Sequence, residues 1–211
     1  MDDSARSLTV SRLVVVFDIC SSTTILEDLL RSEHQERWKD LLIKLKSEVV
    51  RIAKANEIEV HKFLGDGWIL LFPHDVSGVL LLSTLQQISK RFHRLYFNDI
   101  DDLMSVKIPA IGMTFGIDKG TLMRVRMNRQ IEYVGRPINV AARLQSRAKD
   151  EDILKQYRVL ISQAVFADFE AHEKEEITES YEVERVLRSL KNVSGGERYR
   201  CTLIDLYNKP K

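Results

Sequence analysis

The amino-acid sequence predicts one domain of the α+β class, because short apolar strand segments and longer amphipathic helical segments follow one another along the chain in an irregular order. Its 211 residues suffice for one domain with a sizeable core. Hydrophobic residues make up 44% and charged residues 30%, which is ordinary for a soluble globular protein. We expect residues 1–9 to form an N-terminal tail and residues 10–211 to form the domain.

The chain opens with a strand, a polar loop and a helix. Leu13–Phe17 is a compact, β-branched apolar run, which predicts a buried central strand. It ends at Asp18, and the small polar residues of Cys20–Thr24 suit a loop and a helix cap. Apolar residues recur among charges from Ile25 to about Ala55, which predicts one amphipathic helix.

A hairpin and a second helix follow. The residues 58–63 alternate between apolar and polar, and Trp68–Phe72 is a second apolar strand. Gly65-Asp-Gly67 lies between them, and glycine supplies the positive φ that tight turns need. The apolar spacing from Val76 to about Leu95 predicts the second helix.

The second half of the chain adds strands, an arginine-rich arm and a short helix. Ala110–Ile117 is expected to be a strand that ends in a turn at Lys119-Gly120. The charged stretch from Glu170 to Glu184 is expected to be solvated. The remaining expected elements are an arm of Leu122–Val125 and Gln130–Val134, a helix from Asn139 to about Ala148, and strands at Arg158–Ser162 and Arg198–Leu206. The order strand, helix, hairpin, helix, strand predicts a ferredoxin-like (βαββαβ) core with C-terminal strand and hairpin additions.

Charge and cysteine content narrow the function classes. The formal net charge of +1 gives no reason to expect a nucleic-acid or anionic membrane partner. Two cysteines cannot form a disulfide framework and suit a reducing compartment. The first residues do not resemble a signal peptide, and no apolar run approaches the ~20 residues that span a bilayer. We therefore expect a cytoplasmic protein.

Two acidic residues are candidates for metal binding. Asp18 follows the first strand, and Asp66 lies at the hairpin tip. Each alone is ordinary loop or turn chemistry. If their strands are neighbours, both carboxylates emerge at one end of the sheet, where two carboxylates and substrate phosphates can hold Mg²⁺ ions. The serine- and threonine-rich loop after Asp18 can offer backbone N–H groups to phosphate.

A polar pair on the helix of the second half is a third candidate. Asn139 and Arg143 are four residues apart and share one helix face. Asparagine can orient a sugar oxygen, and arginine can stabilise charge that develops on a phosphate. Taken alone, such a pair is usually a solvated surface.

Three segments together resemble the signatures of the class III adenylate/guanylate cyclase catalytic domain. They are Val16-Phe-Asp-Ile19, Lys62-Phe-Leu-Gly-Asp-Gly67 and Gly135-Arg-Pro-Ile-Asn-Val-Ala-Ala-Arg-Leu144, and they occur in the family's order. The similarity spans roughly residues 10–206. It implies a nucleotide cyclase that acts as a head-to-tail homodimer, with active sites at the subunit interface and two divalent metal ions, Mg²⁺ or Mn²⁺, as cofactors.

The resemblance also implies a role for each matching residue. The metal ligands would be Asp18 and Asp66, with the Ile19 carbonyl as a lesser ligand, and the catalytic residues would be Asn139 for the ribose and Arg143 for the transition state. The base would be contacted by Lys62 and Glu132. The phosphates would be contacted by Thr23 and, in a looser alignment, Lys191.

The two base-contacting residues differ from those of the better-known family members. Adenylate cyclases generally pair the lysine at the position of Lys62 with Asp or Thr, and guanylate cyclases replace that lysine with Glu. A lysine ammonium only donates hydrogen bonds and a glutamate only accepts them, so Lys62 and Glu132 can satisfy uracil, adenine or cytosine. Glu132 can instead form a salt bridge with an arginine of the arm. The longer glutamate suits a smaller base. The stand-alone chain and its Ile131–Asn139 stretch resemble the pyrimidine cyclases of bacterial Pycsar anti-phage systems. This favours UTP as substrate and cyclic UMP as a messenger for a separate effector protein, with ATP and CTP as alternatives.

Three other functions are possible from the sequence. A diguanylate cyclase lacks support, because Gly65-Asp-Gly-Trp68 replaces the turn motif of that family. A catalytically silent nucleotide-binding regulator would typically have lost an aspartate or the Asn139/Arg143 pair. A nucleic-acid surface on the arm, at Arg124, Arg126 and Arg129, is disfavoured because no aromatic residues interleave with these charges and the overall charge is nearly neutral.

Overall fold

The structure, a computed structural model, describes residues 8–108, 110–148 and 157–207. The strands of these residues are β1 (Thr9–Ile19), β2 (Glu59–Phe63), β3 (Gly67–Pro73), β4 (Met113–Met127), β5 (Gln130–Val134), β6 (Tyr157–Ser162), β7 (Glu182–Arg188) and β8 (Tyr199–Asp205). The α-helices are α1 (Ser22–Arg31), α2 (Gln35–Ala55), α3 (Gly78–Asp99), α4 (Arg136–Ala148), α5 (Gln163–Asp168) and α6 (Ala171–Ser180). In this part of the chain, no helix combines the length and apolar character needed to cross a lipid bilayer.

The strands form one sheet in the order β2-β3-β1-β4-β6-β8-β7, with β5 paired to β4 outside this path. Neighbouring strands are antiparallel except β4 and β6, which are parallel. The strand order β2-β3-β1-β4, with helices between β1 and β2 and between β3 and β4, is that of a βαββαβ core. The predicted α+β, ferredoxin-like fold with C-terminal additions is confirmed.

Helices cover both faces of the sheet. On one face, alternate β1 residues such as Phe17 pack with Leu45 of α2 and Leu85 of α3 in the main core. On the other face, Val14 and Val16 pack with Ala141 of α4. Because successive side chains of a strand point to opposite faces, Asp18 lies on the face that α4 covers.

The prediction of one long helix from Ile25 to about Ala55 is wrong, because the chain forms two helices there. The helix α1 ends at Arg31, and the backbone of Glu33 has a positive φ of 60° before α2 begins. The amide of His34 donates to the carbonyl of Leu29 at 2.7 Å and closes the turn. The polar Ser32–His34 segment offers no apolar side chain that would continue the buried stripe.

Two other expectations also need correction. The predicted turn at Lys119-Gly120 does not exist, because β4 continues through it and Gly120 pairs with Arg12 of β1. The stretch from Glu170 to Glu184 is mostly exposed as expected, but it forms α6 and the start of β7. Glu173 is buried there, where its carboxylate accepts the Gly78 amide at 3.1 Å.

Candidate active site

The two candidate metal-binding acids come together at one end of the sheet. Strands β1 and β3 are antiparallel neighbours, and Asp18 pairs with Gly67. The amide of Ile19 donates to the carbonyl of Asp66 at 3.3 Å. The end of β1 and the tip of the β2–β3 hairpin are therefore in direct contact, as the sequence predicts for neighbouring strands.

Gly67 allows this close approach. A Cβ atom at that position would lie 2.0 Å from the carbonyl oxygen of Phe17. No side chain fits at that distance, because real carbon–oxygen contacts exceed about 3 Å. The second glycine of the hairpin motif therefore holds Asp66 beside β1.

The start of α1 lies beside the same two acids. The Ser22 hydroxyl donates to Oδ2 of Asp66, which connects the hairpin tip to the first residue of α1. Thr23 follows in the first turn of α1, with an exposed side chain. The first N–H groups of a helix have no acceptor within the helix and can bind phosphate oxygens.

The donor set at this end of the sheet fits magnesium or manganese. Mg²⁺ is usually held by one or two carboxylates together with substrate phosphates and waters. Asp18 and Asp66 supply two carboxylates, and over residues 8–108, 110–148 and 157–207 no group of three or more His, Cys, Asp and Glu side chains forms a metal cluster. Two carboxylates suit an ion that completes its coordination with phosphate oxygens and waters.

Asn139 and Arg143 lie on the outer surface of α4. Val140, Ala141 and Leu144 are buried beneath them, while both polar side chains are exposed. The helix sits unusually close to β4, because a Cβ atom on Gly116 would lie 2.0 Å from the carbonyl oxygen of Ala141. The two side chains, one turn apart, are thus presented outward on the sheet face that also carries Asp18.

The two predicted base-contacting residues are brought together although their strands are not neighbours. Lys62 of β2 and Glu132 of β5 form an ion pair, with Nζ to Oε2 at 3.3 Å. The side chain of Lys62 is 52% exposed and that of Glu132 is 21% exposed, so the pair can be reached by a ligand. Within the described residues, Glu132 thus pairs with this lysine and not with an arginine of the arm, the alternative considered from sequence.

Sequence reasoning missed the histidine beside this pair. His61 occupies an irregularity in β2, where the register with β3 shifts between Val60 and Lys62. Its imidazole Nε2 lies 3.5 Å from Oε2 of Glu132. A strand bulge moves a side chain to an unexpected position, and alternation of apolar and polar residues gives no signal for it.

The remaining candidates occupy separate positions. Ile19 is buried at the end of β1, with its backbone next to Asp66. Lys191 has an exposed side chain in the β7–β8 connection, directly after buried Leu190. The amide of Leu190 donates to the carbonyl of Gly196 at 2.7 Å and holds this connection in a compact turn.

Comparison with known proteins supplies structural relatives only. No protein-family model matches the sequence, and no curated protein is similar to it in sequence. Many solved structures do match, and those described below are less than 20% identical to this chain. One is the adenylyl cyclase CyaB from P. aeruginosa, 19% identical, with a TM-score of 0.65 over 93% of this chain and 95% of that chain.

Two further matches point to the same fold. An adenylate cyclase from Trypanosoma brucei is 14% identical, with a TM-score of 0.67 over 99% of this chain and 94% of that chain. The guanylyl cyclase Cya2 is 14% identical, with a TM-score of 0.65 over 96% of this chain and 94% of that chain. The chain has the fold of class III cyclase domains.

Proposed function

We propose that the protein is a nucleotide cyclase, which converts a ribonucleoside triphosphate to a 3′,5′-cyclic nucleotide and pyrophosphate. The observation that carries this proposal is the contact between the end of β1 and the hairpin tip, which brings Asp18 and Asp66 together in a cyclase fold. The exposed Asn139 and Arg143 supply the other two polar groups that the reaction needs.

Two divalent ions, Mg²⁺ or Mn²⁺, would be held by Asp18 and Asp66, with the Ile19 carbonyl as an additional ligand. When bound, they supply Lewis-acid stabilisation of the attacking and leaving oxygens. Asp66 keeps its carboxylate in place through the Ser22 hydroxyl, so the ligand is oriented before any ion arrives.

In the reaction, the ribose 3′-hydroxyl loses its proton to water, its oxygen forms a bond to the α-phosphorus, and the bond from that phosphorus to the pyrophosphate oxygen breaks. Asn139 would orient the ribose so that this attack is in line, and Arg143 would stabilise the charge that grows on the α-phosphoryl oxygens. Thr23, the first amides of α1 and Lys191 would hold the departing phosphates. No protein nucleophile is required.

We propose a head-to-tail homodimer as the active form. Asn139 and Arg143 point outward from α4, so they can act on a triphosphate that is bound to the carboxylates of a second subunit. Lys62 and Glu132 contact each other within one chain, so one subunit would read the base. Loss of activity on dilution to the monomer would support this arrangement.

For the base, we favour UTP. Lys62 can donate to O4 of uracil while Glu132 accepts from N3–H, and the pair is already assembled at 3.3 Å. The structural relatives are named adenylyl and guanylyl cyclases, so ATP is the first alternative and CTP the second. Production of cyclic UMP for a separate effector in anti-phage signalling rests on the resemblance to Pycsar cyclases.

The deciding experiment incubates the purified protein with each of the four ribonucleoside triphosphates and Mn²⁺ or Mg²⁺, followed by identification of the products by mass. We expect a cyclic nucleotide from the wild type and none from Asp66→Ala. Asp40→Ala, which removes an exposed carboxylate on α2, is the matched control and should stay active. Nucleotide binding without product in the wild type would instead indicate a silent regulator.

Two variants separate the roles within the site. Arg143→Ala should lower kcat far more than it raises KM, because its contact forms mainly in the transition state. Glu132→Ala should change the preference among UTP, CTP and ATP, and an unchanged preference would remove Glu132 from base recognition.

A further inference from the structure

The buried side chain of His61 lies against the Lys62–Glu132 pair. The side chain of His61 is only 5% exposed, although it precedes an exposed lysine in β2. Its Nε2 lies 3.5 Å from Oε2 of Glu132, and its Nδ1 lies 3.9 Å from Oε1 of Glu59. The imidazole is thus positioned between two carboxylates from two different strands.

The surrounding contacts fix the ring in this position. The ring of Tyr133 packs edge-on against the imidazole, with the centroids 5.1 Å apart. The Tyr133 hydroxyl donates to Oε2 of Glu59 at 3.2 Å, which orients that carboxylate as well. Four side chains of β2 and β5 therefore form one polar cluster next to Lys62.

The charge state of the imidazole determines what it can donate. Burial is the main cause that lowers the pKa of His61, and nearby Lys62 acts in the same direction. Glu132 and Glu59 oppose them. The ring is therefore mostly neutral at neutral pH, and the Glu132 carboxylate is the nearer of the two that face it, at 3.5 Å, which is longer than an ordinary hydrogen bond.

The contacts to Glu132 converge on one oxygen. Both Lys62 Nζ and His61 Nε2 approach Oε2. Oε2 is the nearer oxygen to both donors, which leaves Oε1 to accept an N–H of a nucleotide base. A carboxylate held at one oxygen presents the other in a defined direction, whereas an unsupported glutamate would sample several rotamers.

We infer that His61 is a positioning residue for base specificity, which holds Glu132 so that its second oxygen meets the N–H of the preferred base. The inference rests on the proposed cyclase function. It assigns no contact between His61 and the substrate. Its effect reaches the reaction only through Glu132, so it should appear in the ratio of kcat/KM between nucleotides and in KM more than in kcat.

Two amide variants test this role with the same polar group on side chains of different length. A glutamine can place its side-chain nitrogen where Nε2 of histidine lies, while an asparagine reaches only the position of Nδ1 on the Glu59 side. We expect His61→Gln to keep the preference of the wild type within about threefold. His61→Asn should lower the preference about fivefold, as for the loss of a weak polar contact, because the distance of 3.5 Å from Nε2 to Oε2 of Glu132 is longer than an ordinary hydrogen bond.

The assay measures kcat and KM for UTP, CTP, ATP and GTP, together with calorimetric binding of the 3′-deoxynucleoside triphosphates, which lack the attacking hydroxyl. His172→Asn, an exposed histidine on α6, is the control and should match the wild type. Equal preferences in the wild type and in His61→Asn, or equal losses in both His61 variants, would overturn the inference. Absence of any product from the wild type would refute the cyclase proposal instead, which is a distinct result.

Discussion

Because α4 packs closely on β4, we expect Gly116→Ala to lower both the free energy of unfolding and kcat. The added methyl group would lie 2.0 Å from the carbonyl oxygen of Ala141 and 2.2 Å from the amide nitrogen of Gln145. Both are backbone atoms, so no side-chain rotation relieves the clash. Ordinary contact at about 3.5 Å requires α4 to move by roughly 1.5 Å. We expect the free energy of unfolding to fall by about 3 kcal/mol, at the upper end for overpacked cores.

The assay for this prediction combines stability and activity. For a chain of this length, about 3 kcal/mol corresponds to a decrease in Tm of roughly 6–12 °C. The displaced helix carries Asn139 and Arg143, so kcat of the folded variant should fall about 100-fold, as for a misplacement of ~1 Å in an active site.

Gly195→Ala separates the clash from backbone strain. Gly195 has a φ of +73°, and apart from its own atoms and its two chain neighbours no atom of the described residues lies within 4 Å of the position that an added methyl group would take, so its substitution introduces strain without a clash. We expect a cost of about 1 kcal/mol in the free energy of unfolding, well below that of Gly116→Ala. A Gly116→Ala variant with the Tm and kcat of the wild type would refute the close seating of α4.

Three further predictions concern groups outside the candidate site. Burial raises the pKa of Asp118, so this carboxyl contributes stability at low pH that is lost as the pH rises through its folded pKa. The Tm of Asp118→Asn should therefore rise relative to that of the wild type from about pH 4 upward. A Tm difference that stays constant across a pH series would contradict this. Burial raises the pKa of the Cys201 thiol to about 11, so iodoacetamide at pH 8 should label it only after denaturation, as read by mass spectrometry. Leu85→Ala should lower the free energy of unfolding in urea by about 2–5 kcal/mol because Leu85 is fully buried, whereas Leu80→Ala, which is 41% exposed on the same helix, should cost far less.

Much of the fold is predictable from the sequence because the dominant signals are local. The β-branched run at Leu13–Phe17 and the glycine-flanked bend at Asp66 each specify an element through nearby residues. The break between α1 and α2 is less visible, because Glu33 has no helix-breaking character although its backbone adopts a positive φ. The continuity of β4 through Gly120 likewise depends on pairing with β1, a contact between distant parts of the chain.

The candidate site likewise combines positions that the sequence predicts with positions that depend on the folded chain. Asp18 and Asp66 could be placed together from the ends of two strands, since antiparallel neighbours bring those ends into contact. The meeting of Lys62 with Glu132 could not be derived from strand order, because β2 and β5 do not pair. The position of His61 depends on a bulge in β2, and the alternation of apolar and polar residues in the sequence does not reveal that bulge.

The distribution of the Lys62–Glu132 pair over two peripheral strands has an evolutionary consequence. Under the proposed function, a single codon change in β2 or β5 can alter which nucleobase is accepted. Neither change touches β1 or the Gly65-Asp-Gly67 bend, where the phosphate chemistry would take place. Descendants of such a gene could therefore change the cyclic nucleotide that they produce, while the residues responsible for the phosphate chemistry stay the same.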